Sequence, residues 1–192
     1  EPVLHADETT LQVLKEPGRS STSKSYMWLY RTSGCAKQAV VLYEYQPTRK
    51  AEHAEAFLKG FSGWLHADGY QGDTTDCRGT SVWWAAGHMR GENLTRYLED
   101  GRLELSNNCA ERSIKPFVMG RKNWLFANTP GGAQASSVIY SLIETAKENG
   151  LDPYRYLLWV LRNAPQLSET DEAWAEKLLP ANAPEECYMP HK

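Results

Sequence analysis

The sequence predicts an α/β protein in which a mixed sheet is flanked by helices and followed by a helical C-terminal part. Short runs of β-branched and aromatic residues, bounded by turn residues, fill most of the first third of the chain. Apolar residues at helical spacing dominate its last third. With 192 residues, 41% of them hydrophobic, the chain is long enough for one domain with a substantial core.

The first third alternates between strand-like runs and turns, with one helical segment before the last strand. Apolar positions three and four apart predict the helix, and turn dipeptides such as Ser33-Gly34 separate the strands. The predicted elements are strands at 3–14, 26–30, 40–43 and 63–68, and a helix at 48–61 that Thr48 is expected to cap.

The rest of the chain is predicted to be helical, after a segment at 71–91 without a clear period. Gly150 supplies a helix stop, and Asp152-Pro153 forms a cap and first residue. Proline should end a helix before its own position. The predicted helices are 92–100, one capped by Asn108 and ending before Pro116, 133–149, and 153–163 before Pro165; the tail after 180 is expected to be loose.

Composition excludes several function classes. A formal net charge of −3 gives no overall attraction to nucleic acid, so a DNA contact needs a local basic patch. The four cysteines match no metal or disulfide spacing, and no run approaches the roughly 20 apolar residues of a membrane span. No phosphate-binding loop or serine-hydrolase elbow is present. We therefore expect a cytoplasmic protein with reduced thiols and no membrane contact. Because the sequence begins Glu1-Pro2-Val3 without a methionine, we also expect it to be part of a longer polypeptide.

Three acids stand out by their positions: Asp7 and Asp68 on predicted strands, and Glu111 on a predicted helix. Carboxylates that converge from such elements can hold two Mg²⁺ or Mn²⁺ ions over a phosphodiester. Each acid alone also fits a simpler structural role, since Asp68-Gly69 is a turn dipeptide and Glu111 suits a helix N-terminus. The order Asp, Asp, Glu along such a chain favours a ribonuclease-H-like sheet that carries a metal-dependent polynucleotidyl transferase.

A basic segment follows Glu111 and includes aromatic residues. Cations can grip phosphates and aromatic rings can stack on unpaired bases, although a solvated charged loop would have the same composition. We predict DNA binding there. His5 and His66 each precede an acid by two positions, which places them on the same strand face as that acid. They could tune the site or fill the sheet edge, and we expect the second. Lys24 and Arg31 are expected to be surface charges. The predicted DNA-binding residues are Arg112, Lys115, Arg121, Lys122 and Trp124, with Phe126 beside them.

Several motifs together resemble the catalytic core of bacterial transposases of the insertion sequence 66 family. They include HADET at 5–9, NNCAER at 107–112, GRKNWLF at 120–126 and NGLDPY at 149–154, and the block from NNCAER to GRKNWLF is the most specific part. The resemblance covers residues 3 to about 165. It implies a ribonuclease-H-like fold, metal-dependent DNA cleavage and strand transfer, two metal ions, and Asp7, Asp68 and Glu111 as the catalytic acids.

The chain departs from the family pattern in the segment between the second acid and the glutamate. Only 43 positions separate Asp68 from Glu111, where the family usually carries a long helical insertion. We expect residues 1–165 to form the catalytic core, with a shortened insertion at 71–106, and 166–192 to form a C-terminal helix and tail. The expected partners are transposon-end and target DNA, a second copy of the chain, and accessory transposition proteins. The alternative is an inactive remnant that serves as a DNA-binding or oligomerisation module.

Overall fold

A five-stranded sheet forms the centre of the molecule. The computed structural model describes residues 3–67, 82–85, 103 and 106–189, with residues 82–85 described by their backbone. The strands are β1 (Val3–Gln12), β2 (Lys24–Thr32), β3 (Val41–Gln46), β4 (Gly63–His66) and β5 (Val82–Ala85). Their order is β3-β2-β1-β4-β5; β1, β2 and β3 are antiparallel neighbours, and β4 and β5 run parallel to β1.

Helices cover the sheet and build the C-terminal part, so the predicted α/β class with a mixed sheet is confirmed. A helix after β3 returns the chain to the sheet, and the remaining helices follow one another. They are α1 (Ala51–Phe57), α2 (Asn108–Trp124), α3 (Pro130–Glu148), α4 (Pro153–Thr170) and α5 (Trp174–Lys177), then short 3-10 turns at Pro180–Asn182 and Glu185–Cys187. Among the described helices, none is long and apolar enough to cross a bilayer.

The two faces of the sheet are buried by different helices because side chains alternate along each strand. One face packs under α2 and α3 around a cluster that includes Leu11, Leu29 and Phe117. The opposite face packs near α1 around Trp28 and Leu65. The two faces of β1 therefore contribute to different clusters: Leu11 lies in the cluster under α2, and Ala6 lies in the cluster near α1.

Helix α3 also covers the outer edge of β3. The Thr145 hydroxyl accepts a hydrogen bond from the Val41 amide at 3.0 Å, and the Ser141 hydroxyl accepts one from the Tyr43 amide at 2.8 Å. An uncovered edge strand would present these donors to other chains. Hydroxyl side chains on α3 thus close this side of the sheet.

The C-terminal tail packs against α4, so the prediction that it is loose after residue 180 is wrong for the residues up to 189. Cys187 is 1% exposed and shares a core cluster with Leu151 and Tyr156. The Met189 amide donates to the Gly150 carbonyl at 3.1 Å. Burial of the Cys187 thiol and backbone hydrogen bonds thus attach the proline-rich C-terminal segment to the rest of the protein.

Two predicted helix ends are wrong, since Pro116 lies inside α2 and Pro165 inside α4. Each proline removes the donor to a carbonyl four residues earlier. Those carbonyls belong to Arg112 and Leu161, both on exposed positions where water can take the place of the donor. Around Pro116, Ile114 and Phe117 are buried against the sheet, so packing outweighs the local break in α2.

The predicted start and stop signals had mixed outcomes. Gly150 adopts φ 75° after α3, and the Asp152 carboxylate accepts from the Tyr154 amide at 2.9 Å, so both of these signals are confirmed. Thr48 is not the cap of α1: Lys50 occupies that position, and Thr48 hydrogen-bonds His53 instead. The helix predicted at 92–100 lies outside the described residues.

Candidate active site and nucleic-acid interface

Asp7 lies in the middle of β1, on the face that meets α2. It is half-buried and pairs in register with Leu29 of β2, which is fully buried. One carboxylate oxygen accepts a hydrogen bond from the Glu8 amide at 2.8 Å. The strand therefore places the Asp7 carboxylate at the rim of the core, where it is only partly accessible to solvent.

Two buried histidines join β1 to β4 next to this acid. His5 pairs with His66 in the parallel register, and their rings stack at 4.9 Å between centroids. Burial lowers the pKa of His5 to about 4, and the positive charge of Arg31 adds to the effect, while the Asn107 side chain opposes it. His5 is therefore neutral at neutral pH. The pair lies inside the sheet, so the prediction that these histidines fill a sheet edge is wrong.

The second predicted acid, Asp68, lies outside the described residues. The described part of β4 ends at His66 and is followed by Ala67, which is 6% exposed. The strand that leads to it, β4, is the parallel neighbour of β1.

Glu111 lies in the first turn of α2 with an exposed side chain. Its amide donates to the carbonyl of Asn107 at 3.0 Å, and the Asn107 side chain donates to the carbonyl of Ala6 at 3.0 Å. The helix turn that carries Glu111 is thereby fixed to the residue next to Asp7. The structure brings these two acids to neighbouring elements at one side of the sheet.

Asn107, rather than the predicted Asn108, is the residue that precedes α2. Its side chain makes no capping hydrogen bond, and its amide nitrogen donates to Ala6 instead. Asn107 is 4% exposed, whereas Asn108 is exposed. Asn107 thus supplies a tether between the helix and the strand, which the capping preference did not indicate.

Arg31 ties the same helix end to the sheet from the other side, so the prediction that it is a surface charge is wrong. It is 3% exposed and lies opposite His5 in the β1–β2 register. Its guanidinium donates to the Cys109 carbonyl at 3.3 Å and to the Ser113 hydroxyl, and pairs with Glu148 of α3 at 3.1 Å. One buried cation thus connects β2, α2 and α3.

Sequence reasoning missed Arg31, although the strand period contained a signal. Met27, Leu29 and Arg31 are two positions apart and share one face of β2, and the first two are core residues. A cation at the third such position has to be buried, and a buried cation requires partners.

Three of the five predicted DNA-binding residues form a cationic stripe along α2. Arg112, Lys115 and Lys122 are exposed, and their spacing of three and seven places them on one side of the helix. The residues buried beneath that helix, such as Ala110 and Phe117, lie on the other side. The stripe begins beside Glu111 and ends in the last turn of the helix.

The other two predicted DNA-binding residues are engaged within the protein. Arg121 donates to the Thr10 hydroxyl at 2.9 Å, which attaches the end of α2 to β1. Trp124 packs edge-on against Phe117 with 5.4 Å between ring centroids and is half-buried. Their contacts with DNA stay a prediction, and the exposed aromatic ring of this region is Phe126, which is 43% exposed.

The described residues contain no group of three or more histidine, cysteine, aspartate or glutamate side chains that could hold a metal ion. Asp7 and Glu111 are two carboxylate donors of the class that Mg²⁺ and Mn²⁺ prefer. Among the cysteines, Cys77 lies outside the described residues, and Cys109 is a buried residue of α2.

The chain is similar to three curated proteins of Sinorhizobium fredii (strain NBRC 101917 / NGR234). Uncharacterized protein y4qI is 25% identical over 274 residues, which cover 93% of this chain and 50% of that protein. Uncharacterized proteins y4jD and y4hP are each 40% identical, over 89 and 72 residues, covering 46% and 38% of this chain and 17% and 13% of theirs. The chain spans at most about half the length of these relatives. No solved structure matches it.

Two family models account for most of the chain. The model described as "Transposase IS66 family" matches residues 1–90 and 83–135, and the one described as "IS66 C-terminal element" matches residues 141–181. The first covers more than half of the sequence and includes β1 to β5 and α2. The chain therefore belongs to the IS66 family of transposases.

Proposed function

We propose that the chain is a ribonuclease-H-like, DDE-type catalytic domain that cleaves DNA and transfers strands in transposition. The sheet supports this fold: three antiparallel strands are followed by two that run parallel to the first, in the order β3-β2-β1-β4-β5. Family membership implies DNA as the partner. Catalysis by this chain requires in addition that its acids come together.

The observation that carries the proposal is the tether between Asn107 and Ala6. It anchors the first turn of α2, and with it Glu111, beside the part of β1 that carries Asp7. The strand register supports the third acid in the same place, because His5 pairs with His66 and each histidine precedes its acid by two positions in the sequence.

The chemistry of the three acids suits a pair of divalent cations. Asp7, Asp68 and Glu111 would hold them through carboxylate oxygens, the donors that Mg²⁺ and Mn²⁺ prefer. When bound, two such cations would assist deprotonation of the attacking water or 3′-hydroxyl and stabilise the leaving oxygen of an in-line displacement. The protein itself would bind and orient the DNA, with Arg112, Lys115 and Lys122 against backbone phosphates.

Substitution of Glu111 by glutamine tests catalysis directly. Glu111 is exposed, so Glu111→Gln should fold normally and lose a ligand charge. Loss of a residue that only orients a metal ligand already lowers metal affinity or activity about 10- to 100-fold. For loss of a ligand itself, we expect manganese-dependent nicking of supercoiled plasmid DNA to fall by at least about a hundredfold. Asp7→Asn should behave alike, and both should weaken manganese binding measured by calorimetry.

Glu169→Gln is the matched control, since Glu169 is an exposed glutamate on α4. It should nick DNA as the unchanged chain does. Nicking that is equal in Glu111→Gln, Asp7→Asn and the control would reject catalysis by these acids.

A second candidate function is a DNA-binding module without catalytic activity. The alignment with y4qI runs over 274 residues, more than the 192 of this chain, so that relative carries additional residues. The two matches to the transposase model meet at residues 83–90, between Asp68 and Glu111. This candidate predicts DNA binding that weakens steeply with salt, as phosphate contacts do, without nicking that depends on Glu111.

A further inference from the structure

Helix α2 ends in an unusual turn. Leu125 has φ 63° and ψ −46°, and the Phe126 amide donates to the Trp124 carbonyl at 2.8 Å, which closes a three-residue γ-turn. This form of the γ-turn is rare and strained. Among the described residues, Leu125 is the only non-glycine with a positive φ.

The turn is held from both sides. Before it, the Trp124 ring packs on Phe117 in the core. After it, the Ala127 amide donates to the Gln12 carbonyl at 2.9 Å, and the Leu14 amide donates to the Ala127 carbonyl at 3.0 Å. A strained backbone persists only where the surrounding structure determines it, and such positions concentrate at functional sites.

The held turn presents two apolar side chains to solvent. Leu125 is 63% exposed and Phe126 is 43% exposed. We call these two consecutive residues the Leu125–Phe126 knuckle. Because the backbone on both sides is attached to β1 and the core, the knuckle is a rigid apolar projection rather than a free loop.

Exposed lysines flank the knuckle on the two segments that hold it. Residues 112–143 contain four lysines and arginines and no aspartate or glutamate. Lys122 is exposed in the last turn of α2, and Lys15 is exposed where its amide donates to the Asn128 carbonyl at 3.0 Å. DNA with unpaired bases combines negatively charged phosphates with exposed apolar rings. An apolar projection flanked by cations is complementary to such DNA.

We propose that the Leu125–Phe126 knuckle is a DNA-binding wedge that packs against an unstacked base, with Phe126 as the stacking ring. The inference rests on the proposed function, because it assumes DNA along α2. Glu111 and Trp124 are 13 positions apart, which corresponds to about 20 Å of helix. The wedge therefore lies about six base pairs from the candidate catalytic acids.

Binding of the full 192-residue chain to two DNAs of equal length tests the wedge. One duplex is fully paired, and the other carries a short mismatched stretch; both are measured by fluorescence anisotropy in EDTA, so that no cleavage occurs. The chain should prefer the mismatched duplex. Phe126→Ala should lower the affinity for that duplex about tenfold, as loss of one stacked base does, and leave binding to paired DNA unchanged.

Met119→Ala is the matched control, since Met119 is an apolar residue of α2 and is 50% exposed. It should keep the preference for mismatched DNA. Equal affinity for the two duplexes, or equal losses in Phe126→Ala and Met119→Ala, would overturn the wedge. So would a Phe126→Ala variant that alters self-association in sedimentation but not DNA binding, which would assign the knuckle to a second copy of the chain.

The outcome is separable from that of the nicking experiment. If binding to mismatched DNA depends on Phe126 but nicking does not depend on Glu111, the wedge is supported and catalysis is rejected. If nicking depends on Glu111 but the chain does not prefer mismatched DNA, catalysis is supported and the wedge is rejected.

Discussion

Arg31 shows how much of the candidate site depends on one buried residue. Its partners are the carbonyl of Cys109, the hydroxyl of Ser113 and the carboxylate of Glu148. Two of these belong to the first half of α2, the helix that carries Glu111. A buried cation with charged and polar partners is expensive to disrupt, because removing it leaves those partners unsatisfied.

We expect Arg31→Met to lower the free energy of unfolding by about 3 kcal/mol, because it leaves polar groups of α2 unpaired in the core. Lys24→Met is the control, since Lys24 lies at the exposed start of the same strand and should change stability by no more than about 0.5 kcal/mol. Urea unfolding followed by tryptophan fluorescence measures both. Similar stabilities for the two variants would contradict the structural role of Arg31.

At the scale of elements, the strands could be predicted more reliably than the helix ends. Runs of β-formers such as those around Trp28 and Tyr43 have a strong local signal, and β2 and β3 lie where it indicates. Pro116 is a local signal that is overruled, because Ile114 and Phe117 on either side of it are buried against the sheet. The tether from Asn107 joins residues 101 positions apart, and no local pattern could indicate it.

Helix α2 is packed too closely at Gly120 for any side chain. A Cβ atom there would collide with the hydroxyl of Tyr140 and come within 3.2 Å of the Trp124 indole nitrogen. The Tyr140 ring cannot easily withdraw, because it packs edge-on against Phe117 at 5.1 Å and against Tyr43 at 5.6 Å.

We therefore expect Gly120→Ala to destabilise the protein by about 1–2 kcal/mol, although alanine is the better helix former. Tyr140→Phe removes the colliding hydroxyl, so the double variant should be more stable than Gly120→Ala alone. Thermal unfolding of the two single variants and the double variant measures the coupling. Strictly additive effects would show that the close approach is not what constrains this position.

The molecule as a whole combines the sheet with a separate cluster around α4. That cluster contains Ala146, Leu151, Tyr156 and Cys187, and backbone pairing of the C-terminal segment completes it. The Tyr156 hydroxyl also donates to the Leu178 carbonyl at 2.8 Å. The sequence indicated the helices of this region, but the return of the tail depends on contacts between distant positions.

Deletion of residues 179–192 should weaken the α4 cluster while leaving the sheet intact. The deletion removes the buried Cys187 and the pairing of Tyr188 with Leu151, so amide hydrogen exchange in the first turns of α4 should accelerate roughly 10- to 100-fold. Exchange in β1 and β2 should not change. Tyr154→Ala is the control, since Tyr154 is 75% exposed in the same helix. Equal acceleration in the strands would show that the chain unfolds as one unit.

The contacts of β1 have a consequence for how the length of this family's chains can vary. Both ends of the span from residue 68 to residue 106 lie next to residues that contact β1. Before the span, His66 pairs with His5, and after it the Asn107 side chain donates to the Ala6 carbonyl. The two ends of the span are thus anchored at adjacent positions of β1, and β5 lies between them in the sequence. A change of chain length within this span, outside β5, therefore leaves in place the contacts that hold the strand with Asp7 and the helix with Glu111.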